Sequence, residues 1–200
     1  MDKDGLGLGL ALATAVAVAG GGPGGMQLGY IRGWALRGID LQAVSLTGRL
    51  RFERSLRRLI KVLKNGDRDI QGLIKELVDN IPVEVRGQVM ELCVVVAGQT
   101  ARVGRDVVLT LKSICWALGL DIRLLSSLVH RYIPLDKLEE KDTELLLGIT
   151  QAMTAQQLRH ELNRQYACWN ARARSSDTTI SRQAWQMLDL IAQARLAHCR

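Results

Sequence analysis

Between Asp4 and Arg32 the chain carries no charge over 27 consecutive residues, Gly5 to Ile31, which read GLGLGLALATAVAVAGGGPGGMQLGYI. Drawn as one helix, this segment is about 40 Å long, enough to span a bilayer with some tilt. Its centre, Gly20-Gly21-Gly22-Pro23-Gly24-Gly25, breaks a helix in water and is tolerated in lipid only where neighbouring helices support it. Pro23 therefore either kinks the helix or ends it. Small residues recur at every fourth position, Gly5, Gly9, Ala13, Ala17, Gly21, Gly25 and Gly29, and form a stripe along which a second helix can approach closely. The expectation is an N-terminal transmembrane helix that packs against a partner helix or a second copy of itself. A cleaved signal peptide is the rival reading, with Ala15, Ala17 and Ala19 offering a small-residue cleavage site. Met-Asp-Lys-Asp lacks the positive start that such a signal needs.

Charge supports the same placement. From Arg32 to Lys64 there are nine basic residues against Asp40 and Glu53, which accounts for the whole formal surplus of +7. Basic residues directly after an uncharged segment belong on the cytosolic side of a membrane, beside anionic lipid. Arg32, Arg37, Arg49, Arg51, Arg54, Arg57 and Arg58 are the candidate membrane-surface residues. They place the N-terminus outside, in a single-pass protein with cytosolic C-terminal domains. Nucleic acid, the other partner of a basic band, is not expected.

The remainder reads as all-α: aromatics are 4% of the chain, Pro is confined to three positions, and Leu, Ala, Arg, Gln and Glu are plentiful. Phe52, Leu56, Leu59, Ile60 and Leu63 form one apolar face, with Arg51, Arg54, Arg57, Arg58, Lys61 and Lys64 around the rest, which predicts an amphipathic helix near the membrane surface. Asn65-Gly66 stops it. Ile70, Leu73, Ile74 and Leu77 predict a shorter helix, and Pro82 suits the first position of the next, whose core face is Val85, Val89, Leu92 and Val96. Val107, Leu111, Ile114 and Leu118 repeat the pattern up to Gly119, and Ile122, Leu125, Val129 and Tyr132 follow before Pro134. Short links between five such helices make a bundle.

The run QTARVGRDVVLTLKSICWALGLD, Gln99 to Asp121, resembles the second half of a TerB-like (tellurite-resistance type) helical domain. The resemblance covers roughly residues 50–133. The Asp-Gly of that family falls on Thr100-Ala101 and its acidic residue on Val107, so the carboxylates attributed to metal binding there are replaced. The resemblance thus implies the fold without the oxygen ligands that a hard cation needs.

Further along, Glu144-Leu145-Leu146-Leu147-Gly148-Ile149 and then Thr154-Ala155-Gln156-Gln157 resemble the start of a DnaJ-type J-domain. Thr154 with Gln157 is a capping box. Leu158, Leu162, Tyr166 and Trp169 share one face of the helix that follows, and Trp185, Leu188, Ile191 and Ala194 are expected to turn inward from the next. Where J-domains carry the His-Pro-Asp that stimulates DnaK-type ATPases, this chain has Asn170-Ala171-Arg172, so a degenerate J-like module is implied. The order of these parts resembles that of membrane-anchored DnaJ-like co-chaperones. It divides the chain into a Gly-rich anchor and basic flank at 1–40, a TerB-like bundle at 41–135, a solvated acidic linker at 136–143 and a J-like domain at 144–200.

No catalytic constellation emerges. His130, His160 and His198 stand in separate helices without ligand-spaced partners. Cys93, Cys115, Cys168 and Cys199 form no CxxC, and the first two sit in apolar patterns where a reduced cysteine behaves as a small hydrophobe. The glycines precede no GK(S/T), and GLGLG follows no strand. The expectation is a membrane-tethered, non-enzymatic scaffold or assembly factor without cofactor or metal. Trp169, Asn170, Arg172 and Arg174 are its candidate partner-binding residues, because Trp and Arg dominate interface energetics; Trp169 is also a candidate for the core of the hairpin. The alternatives are a co-chaperone that recruits a DnaK-type ATPase, or a permanent accessory subunit packed against membrane helices of a larger complex.

Overall fold

The computed structural model describes residues 3–38, 46–64 and 83–198. The helix expected at Ile70–Leu77, the start at Pro82 and Cys199 lie outside the described residues. Within them the chain is all-helical: α1 (Lys3–Ala19), α2 (Gly25–Gly38), α3 (Leu46–Lys64), α4 (Val83–Gly98), α5 (Arg105–Ala117), α6 (Ile122–Tyr132), a 3-10 turn (Leu135–Lys137), α7 (Thr143–Leu147), α8 (Ala155–Ala173) and α9 (Thr178–His198). The one extended pairing among them is a bridge between Val103 and Leu138.

The transmembrane helix expected at the N-terminus is corrected. Gly21 and Gly22 take φ of +93° and +110°, a conformation glycine adopts without strain, and the uncharged segment folds back there as two helices. With 17 and 14 residues they are about 26 and 21 Å long, short of the roughly 30 Å hydrocarbon core. Among the described residues no helix is long and apolar enough to cross a membrane. The single-pass topology drawn from that span therefore rests on no helix seen here.

What α1 does instead follows from its composition. A helix that is apolar all round belongs in a protein core or in lipid, and every residue of α1 from Gly9 to Ala17 is buried against α3, α4 and α5. The small-residue stripe divides accordingly. Gly9, Ala13 and Ala17 lie inside the bundle, and a Cβ on Gly9 would stand 2.9 Å from the Trp34 ring and 3.0 Å from Val89. Gly21, Gly25 and Gly29 are exposed with nothing within 4 Å of such a Cβ. Gly5 sits in the first turns of α1.

The bundle is built twice. Trp34-Ala35-Leu36-Arg37-Gly38-Ile39-Asp40 is echoed by Trp116-Ala117-Leu118-Gly119-Leu120-Asp121, and Ala19-Gly20 by Ala97-Gly98. The packing follows the echo: α1 meets α4 at the centre, α1 lies on α5 as α4 lies on α2, and α3 covers α1 as α6 covers α4. Both central helices end at a glycine under a close crossing. A Cβ on Gly20 would stand 3.2 Å from Thr100 and 3.4 Å from Val107, and one on Gly98 would stand 2.6 Å from the Tyr132 carbonyl oxygen.

The acidic segment 136–143 is fastened to the bundle. Val103 N–H donates to the Lys137 carbonyl at 2.8 Å, Glu139 N–H donates to the Val103 carbonyl at 3.1 Å, and the Lys137 ammonium reaches the Gly98 carbonyl at 2.9 Å. Leu135 and Leu138 are buried. One hydrophobic cluster runs from Leu10 in α1 to Ala194 in α9, with a smaller one of Ala15 and Leu63 between α1 and α3, and α7 bridges between α6 and the antiparallel pair α8 and α9.

Candidate protein-docking surface

The C-terminal hairpin is positioned by α7. Asp142 Oδ1 accepts from Leu145 N–H at 2.8 Å and so caps α7, and Gly148 ends it in the left-handed conformation (φ 63°, ψ 36°), as C-terminal glycines do. A Cβ on Gly148 would stand 3.1 Å from Cγ of Arg123. The α7 backbone is then read from α6: Ser126 Oγ donates to the Leu146 carbonyl at 3.0 Å, and His130 Nε2 lies 2.7 Å from the same oxygen. A carbonyl only accepts, so Nε2 carries the proton.

A second tie joins α7 to α5. Lys112 is only 6% exposed, and its ammonium lies 3.1 Å from Asp142 Oδ2 and hydrogen-bonds Glu144 Oε2. Burial pushes its pKa down, the bonds to Glu144 and Asp142 outweigh that, and the net displacement is upward.

Thr154 opens α8 with the expected capping box: Gln157 N–H donates to its hydroxyl, and the Gln157 carboxamide oxygen accepts from Thr154 N–H at 2.8 Å. The inner face of α8 is more polar than its sequence suggests. Trp169 Nε1–H donates to Gln165 Oε1 at 3.1 Å, Gln165 Nε2 donates to Glu161 Oε1 at 3.1 Å, and Arg164 pairs with the same carboxylate. The Trp169 ring meets His130 edge-on, with centroids 4.9 Å apart, and the Arg172 guanidinium covers its outer side at 4.6 Å.

Of the expected partner-binding set, Trp169 is 3% exposed and belongs to this seam. Asn170 is half-buried, and Arg172 and Arg174 are exposed at the hairpin's tip. Asn170-Ala171-Arg172 lies in the last turn of α8. Thr100 and Val107 hold structural places: the Thr100 hydroxyl donates to the Ala97 carbonyl at 2.7 Å, and Val107 is in the core.

Trp185, expected inward, is 59% exposed. The set Trp185, Leu188, Ile191, Ala194 advances three residues at a time, and such a row drifts around a 3.6-residue helix. The buried face is instead Ala184, Met187, Ile191 and Ala194. Tyr166, expected on the inner face of α8, is 43% exposed and stacks against Arg195, whose Nη2 donates to Asn163 at 2.8 Å. Leu196, 67% exposed, lies eleven residues beyond Trp185. That is three turns, which puts the two on one side of α9 about 16 Å apart. At the Leu196 end runs a groove of about 550 Å³ between α8 and α9, with Leu162, Ala192 and Leu196 in its wall and Arg159 and Arg195 at its rim. The eleven-residue spacing was the readable signal for this face.

The remaining candidates are dispersed. Arg54, Arg57 and Arg58 are exposed on α3, Arg32 is half-buried on α2, and Arg37, Arg49 and Arg51 belong to the same two helices. Cys93 and Cys115 are buried free thiols, and Cys168 is free and exposed. Burial raises the pKa of Cys93, and burial with the Asp121 charge raises that of Cys115 to about 11, far from the range of a reactive thiolate. His160 is exposed. Comparison of the chain with protein-family models, curated proteins and solved structures finds no match.

Proposed function

We propose that this chain is a non-catalytic helical scaffold and that the hairpin of α8 and α9 is the arm with which it holds a partner protein. The observation that carries the reading is the pair Trp185 and Leu196. Two large apolar side chains stand in water on one side of α9, and the second of them, Leu196, lines an apolar-walled groove with arginine at its rim. Scattered exposed apolar residues are ordinary, but an aligned pair with a groove at one end of it is the composition of an interface centre, where Trp and Arg carry most of the binding energy. The buried charged groups of the seam, Lys112 and Glu161, are engaged by structural partners, which suits a binding role.

The test is site-specific photo-crosslinking from position 192 in the groove, in the full chain expressed in cells. Defined adducts are expected, and Trp185→Ala with Leu196→Ala should remove them, since truncating such anchors weakens binding by roughly 30-fold or more. Adducts that persist in the double variant, or none beyond those from a control at Gln156, defeat the proposal.

One feature favours a second reading. A short helix ended by Gly148, a long capped helix and an antiparallel return follow the order of a J-domain, so the partner would be a DnaK-type ATPase. Acceleration of such an ATPase above its basal rate by the purified chain distinguishes recruitment with stimulation from docking alone.

A further inference from the structure

The outer side of the hairpin carries its charges in a fixed order. Trp185, Asp189, Ala192 and Leu196 stand at i, i+4, i+7 and i+11 and share one line along α9. Asp189 is the one carboxylate of that helix, and it is exposed. Six residues further, about 9 Å along the axis, Arg195 borders the groove, and Arg159 of α8 stands at the same rim. Among the described residues neither arginine is paired with a carboxylate. Arg195 is held in place all the same: its Nη2 donates to Asn163 Oδ1 at 2.8 Å, and its guanidinium lies 4.9 Å from the centre of the Tyr166 ring. Apolar surface with a positive end and a negative point nearer Trp185 is the result.

We infer that the partner segment taken by this groove is an amphipathic helix, with a carboxylate at the Arg159 and Arg195 end of its apolar face and a basic residue opposite Asp189. The inference rests on the hairpin being the docking arm, and it names what the arm holds. Both walls of the groove are long helices, so a third helix fits along them, and the hairpin has no strand edge for an extended peptide. Charge then sets the register. Two guanidiniums without a carboxylate, one of them already immobilised, suit bidentate pairing with an acid, and a like charge at either end of the line is rejected. A lipid surface fits less well. Inserting Trp185 and Leu196 together would carry Asp189, which lies between them on the same line, into the apolar layer.

The experiment selects a displayed library of helical peptides against the immobilised full chain. Leucine is fixed at i, i+3 and i+7 of each peptide, and the flanking positions are randomised. Selected helices are expected to carry Asp or Glu at one end of the leucine row and Lys or Arg towards the other, and Leu196→Ala should weaken their binding about tenfold or more. Arg159→Glu with Arg195→Glu should turn the acidic preference into a basic one. Arg102→Glu with Arg105→Glu, an equal change of net charge on exposed residues outside the hairpin, should leave it as it was. If the charge-reversed groove fails to fold, Arg159→Gln with Arg195→Gln serves in its place and should erase the preference. Helices that depend on Leu196 but show no charge order, or the opposite one, overturn this inference and leave the docking arm standing. No selected helix, or helices that bind Leu196→Ala equally well, remove the arm and the inference together. Displacement of the selected helices by a free peptide of residues 66–80, whose sequence is acidic, gives the groove to the chain itself and overturns the inference, as does Leu196-dependent binding of phosphatidylserine vesicles tighter than that of the helices.

Discussion

His130 is the residue on which the junction of bundle and hairpin turns. Its Nε2–H is committed to the Leu146 carbonyl, its ring edge to Trp169, and its Nδ1 is buried without a hydrogen-bond partner. A proton arriving at Nδ1 would be a buried charge with no acceptor, close to Arg172. Burial first, and the Arg172 charge after it, accordingly lower the His130 pKa, and the bond to the Leu146 carbonyl opposes them only in part. The unfolded chain therefore binds a proton at a higher pH than the folded one does. Stability is highest above the ordinary histidine value of 6.5 and falls on acidification, until the lowered folded value is reached. One such group gives a slope of at most about 1.4 kcal/mol per pH unit. His130→Phe should flatten the dependence of the urea midpoint on pH below 6.5; a slope that survives the substitution assigns the acid sensitivity to another group.

At the scale of elements, α7 is five residues long, too short to hold a helix by itself, and it persists because three neighbours hold it. Asp142 caps it, α6 takes the Leu146 carbonyl, and Lys112 of α5 collects both Asp142 and Glu144. The lysine side chain is 8% exposed, whereas those of the two acids are 25% and 31% exposed, so the consequences of removing either side are unequal. Lys112→Met leaves carboxylates that water can reach, at about 1 to 2 kcal/mol. Asp142→Asn with Glu144→Gln keeps the cap but strands a buried ammonium, at about 3 to 5 kcal/mol. Urea unfolding should show this order at an unchanged m-value, and the reverse order would mean that the pair is solvated. Because the folded pKa of Lys112 is raised, its contribution is present at neutral pH and is lost only as pH climbs through that raised value. The hairpin next to α7 was legible from local chemistry: Thr154 with Gln157, glycine at 148, and helical periodicity. The Lys112 contacts were not, because the partners stand 30 and 32 positions away in sequence and no local rule joins them. Trp185 was misplaced for a different reason, a three-residue step that does not match the turn of the helix.

Across the whole molecule, the expectation of one transmembrane helix over Gly5–Ile31 failed at one physical ambiguity. Lipid and the interior of a bundle are both apolar, so Leu10–Ala17, whose one polar side chain, Thr14, is satisfied by the Leu10 carbonyl, suits either. What separates them is the company the segment keeps: the Trp-Ala-Leu echo at Trp34 and Trp116 makes residues 3–38 the counterpart of 83–117, and that half lies in the bundle. The consequence is that α1 is part of the core that extends to Ala194, and the chain should unfold as one unit rather than as an anchor with independent domains. Leu12 has no exposed surface and tests this directly. Leu12→Ala removes a fully buried side chain of α1 from the core, at about 2 to 5 kcal/mol. In calorimetry it should lower the midpoint of a single transition, and hydrogen exchange should speed up in α8 and α9 together with α4. If the substitution loosens α1 and leaves exchange in the hairpin untouched, α1 is a peripheral helix and the shared core is refuted. If all parts respond together, the first helix, far from being a tether, is the element around which both halves of the bundle and the docking hairpin are assembled.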